Sequence, residues 1–383
     1  MAPFFNSEIV HFAALLGSLI VTYHVVIVVE GIVDMKSRLT KQEELSIESQ
    51  LNTLNKPPIK TMHAPWGDIY DCIEFHKQPA FDHPLLKNHK IEIKQEIVST
   101  NSLKTFMNQL DGCPKGTVPI RRTSREDLIA AKLSVNGPDD QYRAGISYDT
   151  KSGETIYGAS GEMTVWNPNV YPDQFSSAEI ALQSGSQDHI NVIKYGWMVN
   201  PQLYGNNVTR GFAYWTTDGG KITGCYNTLC YGFIQTHSHY TPDMPFVDTS
   251  NIGGEQIYFT AQITLDKQEG KWWLTLQDSI RIGYWPEEFF PAFAPGVASV
   301  FWGGRVKSSQ YGISPPMGSG QPINDHFADA GFIDKIQYFN MDSYPLQPEK
   351  PTDTIDCSEH YKAQYYPDHN ALYSGGSGGA ECK

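Results

Sequence analysis

Gln256–Leu265 (QIYFTAQITL), Lys271–Leu276 (KWWLTL) and Ile280–Tyr284 (IRIGY) are three short runs rich in β-branched and aromatic residues, separated only by DKQEG and QDS. Runs of this length and composition, bounded by turn residues, predict consecutive antiparallel strands. The pattern extends on both sides: Glu162–Trp166, Ile190–Val199, Gly211–Thr216 and Val297–Val306 read the same way, with no helical periodicity between them. The 33 Gly, 24 Pro and 12% aromatic content suit short strands joined by tight turns. The expected fold is therefore mainly β, an antiparallel β-sandwich of two packed sheets.

The chain before residue 132 reads differently. Ile9 to Val29 is an almost unbroken apolar run, followed by Lys36 and Arg38, which predicts a signal peptide over 1–33, with a signal anchor as the alternative. Thr40-Lys-Gln-Glu43 is a capping box ahead of Leu45, Leu51 and Leu54, and Pro57-Pro58 ends that short helix. Lys90–Ile97 alternates as a strand does, so 34–131 is expected to be a small α/β segment. Arg121, Arg122 and Arg125, with Asn136-Gly-Pro-Asp-Asp140, read as a polar boundary stretch before a domain spanning 132–383.

Charge and cysteine content narrow the function classes. A net charge of −13 repels nucleic acid and anionic lipid, leaving the N-terminal apolar segment as the sole expected membrane contact. Six cysteines suit an oxidising compartment and allow fifteen pairings, which the sequence does not choose among. Proximity favours Cys225–Cys230 and Cys357–Cys382, leaving Cys72–Cys113. Asn207-Val-Thr209 is an N-glycosylation sequon. Gly375-Gly-Ser377-Gly-Gly379 matches a serine-hydrolase elbow only formally, since no strand-to-helix context surrounds it. Cys225, Cys230, His237 and His239 do not have the spacing of a recognised zinc finger. No metal or cofactor is expected.

Alternation along Ile190–Val199 places Lys194 on a face with Ile190, Val192, Gly196 and Met198, and Asn191, Ile193, Tyr195, Trp197 and Val199 on the other. Phe301, Gly303 and Arg305 likewise share a face, with Gly303-Gly304 leaving room for a substrate backbone or another strand. On the residues alone, each basic side chain also fits a strand-end surface charge.

Asp68-Ile-Tyr-Asp-Cys72 and the run from Lys77-Gln-Pro-Ala-Phe-Asp to His89 resemble the activation-peptide signature of the neprosin family of plant secreted glutamic endopeptidases. Val165-Trp-Asn-Pro168, Tyr214-Trp-Thr216, Thr223-Gly-Cys-Tyr-Asn227, Gly283-Tyr-Trp-Pro286 and Met317-Gly-Ser-Gly320 extend the resemblance across roughly residues 40–383. It implies a secreted prolyl endopeptidase precursor, apoplastic or vacuolar, whose β-sandwich groove cuts peptides after proline with two catalytic glutamates. Those two positions are Lys194, in Ile193-Lys-Tyr-Gly-Trp197, and Arg305, in Trp302-Gly-Gly-Arg305. The resemblance places Tyr195, Trp197, Tyr214, Trp215, Trp302, Gly303 and Gly304 in the substrate cleft.

A carboxylate pair that exchanges a proton near working pH cannot be built from Lys194 and Arg305. The leading expectation is a monomeric, non-catalytic homologue, a pseudoenzyme that binds peptide or a cell-wall polymer. The alternative is an active endopeptidase recruiting other carboxylates, for which Glu162, Glu179, Glu255 and Asp218 are the candidates.

Overall fold

The computed structural model describes residues 40–86, 89, 107–135, 140–323, 329–380 and 382. The apolar run 9–29 and the alternating stretch Lys90–Ile97 lie outside them, and no helix among the described residues is long and apolar enough to cross a membrane. The chain divides into two units between Gln50 and Leu51, and of the first only residues 40–50 are described. Helix α1, Lys41–Leu54, begins with the expected capping box: Thr40 N–H donates to the Glu43 carboxylate (2.8 Å) and Glu43 N–H to Thr40 Oγ1 (3.3 Å).

The second unit opens with a three-stranded antiparallel sheet, β1 (Lys60–His63), β2 (Ile69–Glu74) and β3 (Thr117–Arg121), followed by helix α2 (Arg125–Val135). The arginine-bearing part of the stretch read as a boundary thus runs from β3 into α2, and residues 136–139 lie outside the described residues. Its charges are used internally: Arg121 Nη2 donates to Asp127 (2.7 Å) and Nε to Asp68 (3.3 Å), and Arg122 bonds Asp71 (2.6 and 2.7 Å). Ser124 and Asp127 cap α2 reciprocally, a second capping box that the sequence carried beside the arginines.

The strands of the sandwich follow in order: β4 (Gln141–Asp149), β5 (Gly158–Thr164), β6 (Phe175–Ser184), β7 (Asn191–Val199), β8 (Arg210–Thr216), β9 (Cys225–Tyr226), β10 (Ile234–Gln235), β11 (Tyr258–Asp266), β12 (Lys271–Leu276), β13 (Ile280–Pro286) and β14 (Ser299–Lys307). The C-terminal part adds β15 (Ile313–Ser314), β16 (Gly331–Phe339), β17 (Pro345–Leu346), β18 (Thr352–Ile355), β19 (Lys362–Tyr366), β20 (Ala371–Gly375) and β21 (Gly379–Ala380). One sheet runs β18-β4-β14-β6-β7-β8-β9; the other runs β10-β13-β12-β11-β5-β16-β20-β19, with β17 beside β16. The strand pairings within each sheet are antiparallel.

Large buried rings fill the space between the two sheets, and two of them bond carbonyls across it. Trp197 Nε1 on β7 donates to Thr164 O (2.7 Å), Trp302 Nε1 on β14 to Ser160 O (3.0 Å), and Tyr195 packs edge-on against Phe259. Each such ring removes roughly 150–250 Å² from water, which is why these tryptophans belong to the interior. The N-terminal sheet shares the same continuous core through Tyr70, Ile73, Phe75 and Val118. Its anchor is polar as well: the fully buried Arg210 of β8 pairs with Asp68, and the Gln78 side-chain amide accepts from Gln235 N–H (2.8 Å) and donates to Gln235 O (3.1 Å). The cysteines pair as Cys72–Cys113, Cys225–Cys230 and Cys357–Cys382.

Candidate functional site

The outer face of the seven-stranded sheet, turned away from the core, carries a groove of about 350 Å³. It crosses β4, β14, β6, β7 and β8, so each wall residue sits one strand spacing from the next. The register fixes its floor. Glu179 on β6 stands opposite Gly196 on β7 and Gly303 on β14, and Gly303 stands opposite Gly145 on β4. No side chain flanks Glu179 in its own row.

Two cations lean in from the adjacent rows. Arg305 Nε donates to Glu179 Oε1 (2.8 Å), and Lys194 Nζ lies 3.4 and 3.5 Å from the two carboxylate oxygens. The Glu179 side chain is 1% exposed. Burial by itself would push its carboxyl up, but the charges and hydrogen bonds of Arg305 and Lys194 outweigh this and hold it below the ordinary glutamate value. Lys194 is pushed down to about 8 by burial and by Arg305, against the upward pull of Glu179. Its ammonium also lies 5.1 Å from the centre of the Tyr214 ring.

Arg143 is the direct cross-strand neighbour of Arg305. Its Nε and Nη2 bond the two oxygens of Asp356 (2.9 and 3.1 Å), and its guanidinium lies 5.9 Å from the Phe301 ring. The structure therefore brings Lys194, Arg305 and Tyr214 together in one groove. It does so around Glu179.

Four of the expected cleft aromatics are elsewhere. Tyr195, Trp197 and Trp302 are fully buried between the sheets, and Trp215 packs against Phe289 and Phe290 on the inner side. The reason is the two-residue period: neighbours in sequence of an outward Lys194, Tyr214 or Phe301 point inward. The glycine pair admits close neighbours from this chain, one of them a paired strand. A Cβ at Gly303 would meet Gly145 Cα at 2.6 Å and Phe301 at 2.8 Å, and one at Gly304 would overlap the Met317 side chain. Both serve close packing of this chain on itself and leave no gap for a substrate backbone.

The alternative carboxylates are dispersed. Glu162 is on β5 of the opposite sheet, bonded by Lys335 (2.9 Å) and Thr260. Glu255 is exposed in the loop before β11. Asp218 closes the turn after β8 by accepting from the N–H groups of Ile222 and Thr223 (both 2.9 Å). Among the described residues, Cys357, His360 and Cys382 gather closely enough to hold a metal, but their two sulfurs are joined to each other. Cys225 and Cys230 are likewise joined, so neither sulfur is available to a zinc site with His237 and His239. Asn207 of the sequon is exposed between a short helix, α3 (Pro201–Tyr204), and β8.

Residues 172–377 match the family model described as Neprosin, and residues 61–156 match that described as Neprosin activation peptide. Among solved structures, the chain is similar to scytalido-glutamic peptidase with a peptide-based transition-state analogue, at 7% identity over 62% of this chain and 98% of that one, TM-score 0.35. It is also similar to SCP-B, a member of the Eqolisin family of peptidases, in a complex with the tripeptide Ala-Ile-His, at 7% identity, 62% and 98% coverage and TM-score 0.34. A third likeness is to the CBM40 of Ruminococcus gnavus IT-sialidase bound to α2,6-sialyllactose, at 13% identity, 44% and 89% coverage and TM-score 0.24.

Proposed function

Because the chain belongs to the neprosin family, we propose that it is a secreted, non-catalytic member whose outer-sheet groove binds peptide without cleaving it. The observation that carries this reading is that Glu179, the carboxylate between Lys194 and Arg305, is bonded to both cations. Peptide hydrolysis by carboxylates needs one group to take a proton from water and a second to give one to the amide. Arg305 does neither at accessible pH, and Lys194 is charged below about 8. Glu179 is held ionised and is occupied by its two partners, so it has no proton to give and little basicity to offer. The three disulfides and the exposed sequon Asn207 support the secretory part of the reading. We assign the described part of 34–131 to a family-type N-terminal segment and 132–383 to the groove-bearing domain.

The test uses the full chain with a fluorogenic proline-containing peptide between pH 3 and 8. Binding measured by anisotropy without product formation is the expected result. Turnover that disappears in Glu179→Gln would overturn the reading. The gain-of-function control is the triple variant Lys194→Glu, Arg305→Glu, Glu179→Gln. The third change is needed because three carboxylates would otherwise crowd one buried site.

A further inference from the structure

In a chain of net charge −13, the groove wall contains three cationic side chains, Lys194, Arg305 and Arg143, and no carboxylate. Glu179 lies beneath the wall, and Asp356 approaches Arg143 from β4's other neighbour, the segment that follows β18. These five charges sum to one positive charge, and Asp218, bonded to the groove residues Thr216 and Gly220, is a further carboxylate near the wall. Arg143 and Arg305 also stand directly opposite each other on paired strands, an arrangement that is destabilising for like charges unless something lies between them.

Their donors are not exhausted by the protein. Only Nε of Arg305 is bonded to Glu179, and its two terminal nitrogens make no hydrogen bond to the described residues. Arg143 uses Nε and Nη2 on Asp356. A guanidinium offers its donors in a planar fork that matches a carboxylate. The half-buried Tyr214 ring and the largely buried Phe301 ring line the same groove, against Lys194 and Arg143 respectively.

Resting on the peptide-binding reading, we infer that the groove selects peptides bearing an acidic side chain, whose carboxylate docks on the terminal nitrogens of Arg305 beside Arg143. The wall repels basic segments for the same reason. A charge-assisted fork is worth at least about tenfold in affinity over a neutral amide at this position. The preference weakens with added salt because the groove is open to solvent.

The experiment compares two fluorescein-labelled decapeptides, identical except for a central Glu or Gln, binding to the full chain by anisotropy at pH 6 in 50 and 500 mM NaCl. The expected result is at least tenfold tighter binding of the Glu peptide at low salt, lost in Arg305→Gln and partly restored in Arg305→Lys. Circular dichroism checks folding, and Arg143→Gln provides an independent reduction should Arg305→Gln not fold. Equal binding of the two peptides overturns the inference and leaves the peptide-binding reading standing. Binding of neither peptide overturns both. Tighter binding of an oligouronate than of the Glu peptide overturns the peptide assignment.

Discussion

Arg305 donates from Nε to Oε1 of Glu179 across 2.8 Å, joining β14 to its neighbour β6 at the floor of the groove. The two positions that the family resemblance assigns to catalytic carboxylates are therefore cations clasping a third residue. A charge as deeply buried as Glu179 is tolerated only with such partners.

Removing one partner leaves that charge exposed to a low-dielectric site. Arg305→Met should cost roughly 3–5 kcal/mol in urea unfolding at pH 7, and adding Glu179→Gln should recover most of that loss. Simple addition of the two single effects would show that the pair is not coupled.

Lys194 should titrate near pH 8, measured by the pH dependence of its competitive acetylation against the other lysines. The sign for stability follows from its lowered folded value: between about 8 and the ordinary 10.5 the unfolded chain holds a proton that the folded chain has lost, so stability rises with pH there. Lys194→Met should flatten that rise. An acetylation midpoint above 10 would refute the burial argument.

At the N-terminal sheet, Arg210 is completely buried, pairs with Asp68, and lies 5.1 Å from the centre of the Tyr204 ring. Arg210→Met should lower the melting temperature and open the chain to trypsin after Arg121 and Arg122, which are otherwise tied to aspartates. An unchanged digestion pattern would mean that apolar contacts alone hold the sheet.

The disulfides should differ in weight. Cys72–Cys113 closes a separation of 41 residues and Cys225–Cys230 one of 5. By chain entropy the Cys72→Ser, Cys113→Ser variant should lose about 2 kcal/mol more than Cys225→Ser, Cys230→Ser. Equal losses in denaturant melts would place the effect in native packing instead.

Gly304→Ala should destabilise the fold by overpacking against the fully buried Met317, and Met317→Ala should rescue it. If Gly304→Ala altered peptide affinity and left stability unchanged, the glycine would line the groove after all.

The sequence by itself determined the antiparallel class. Lys271–Leu276 is a short run of aromatic and apolar residues bounded by turn residues, and Asn191–Val199 carries Ile193, Tyr195, Trp197 and Val199 at a two-residue period. It also determined that Lys194 and Tyr195 face opposite ways, although the motif likeness grouped both in the cleft. Adjacency in a motif is adjacency along the chain, whereas a groove collects alternate residues from several strands. Strand β6 was not legible: FSSAEIALQS offers alanine, glutamate, leucine and glutamine, which favour helix, and its small residues acquire a reason only when β7 and β14 close on either side. Glu179 was visible merely as one of four scattered carboxylates. Only the tertiary structure could set it between Lys194 and Arg305, because that contact joins positions 15 and 126 residues apart through strand register, which no local pattern encodes.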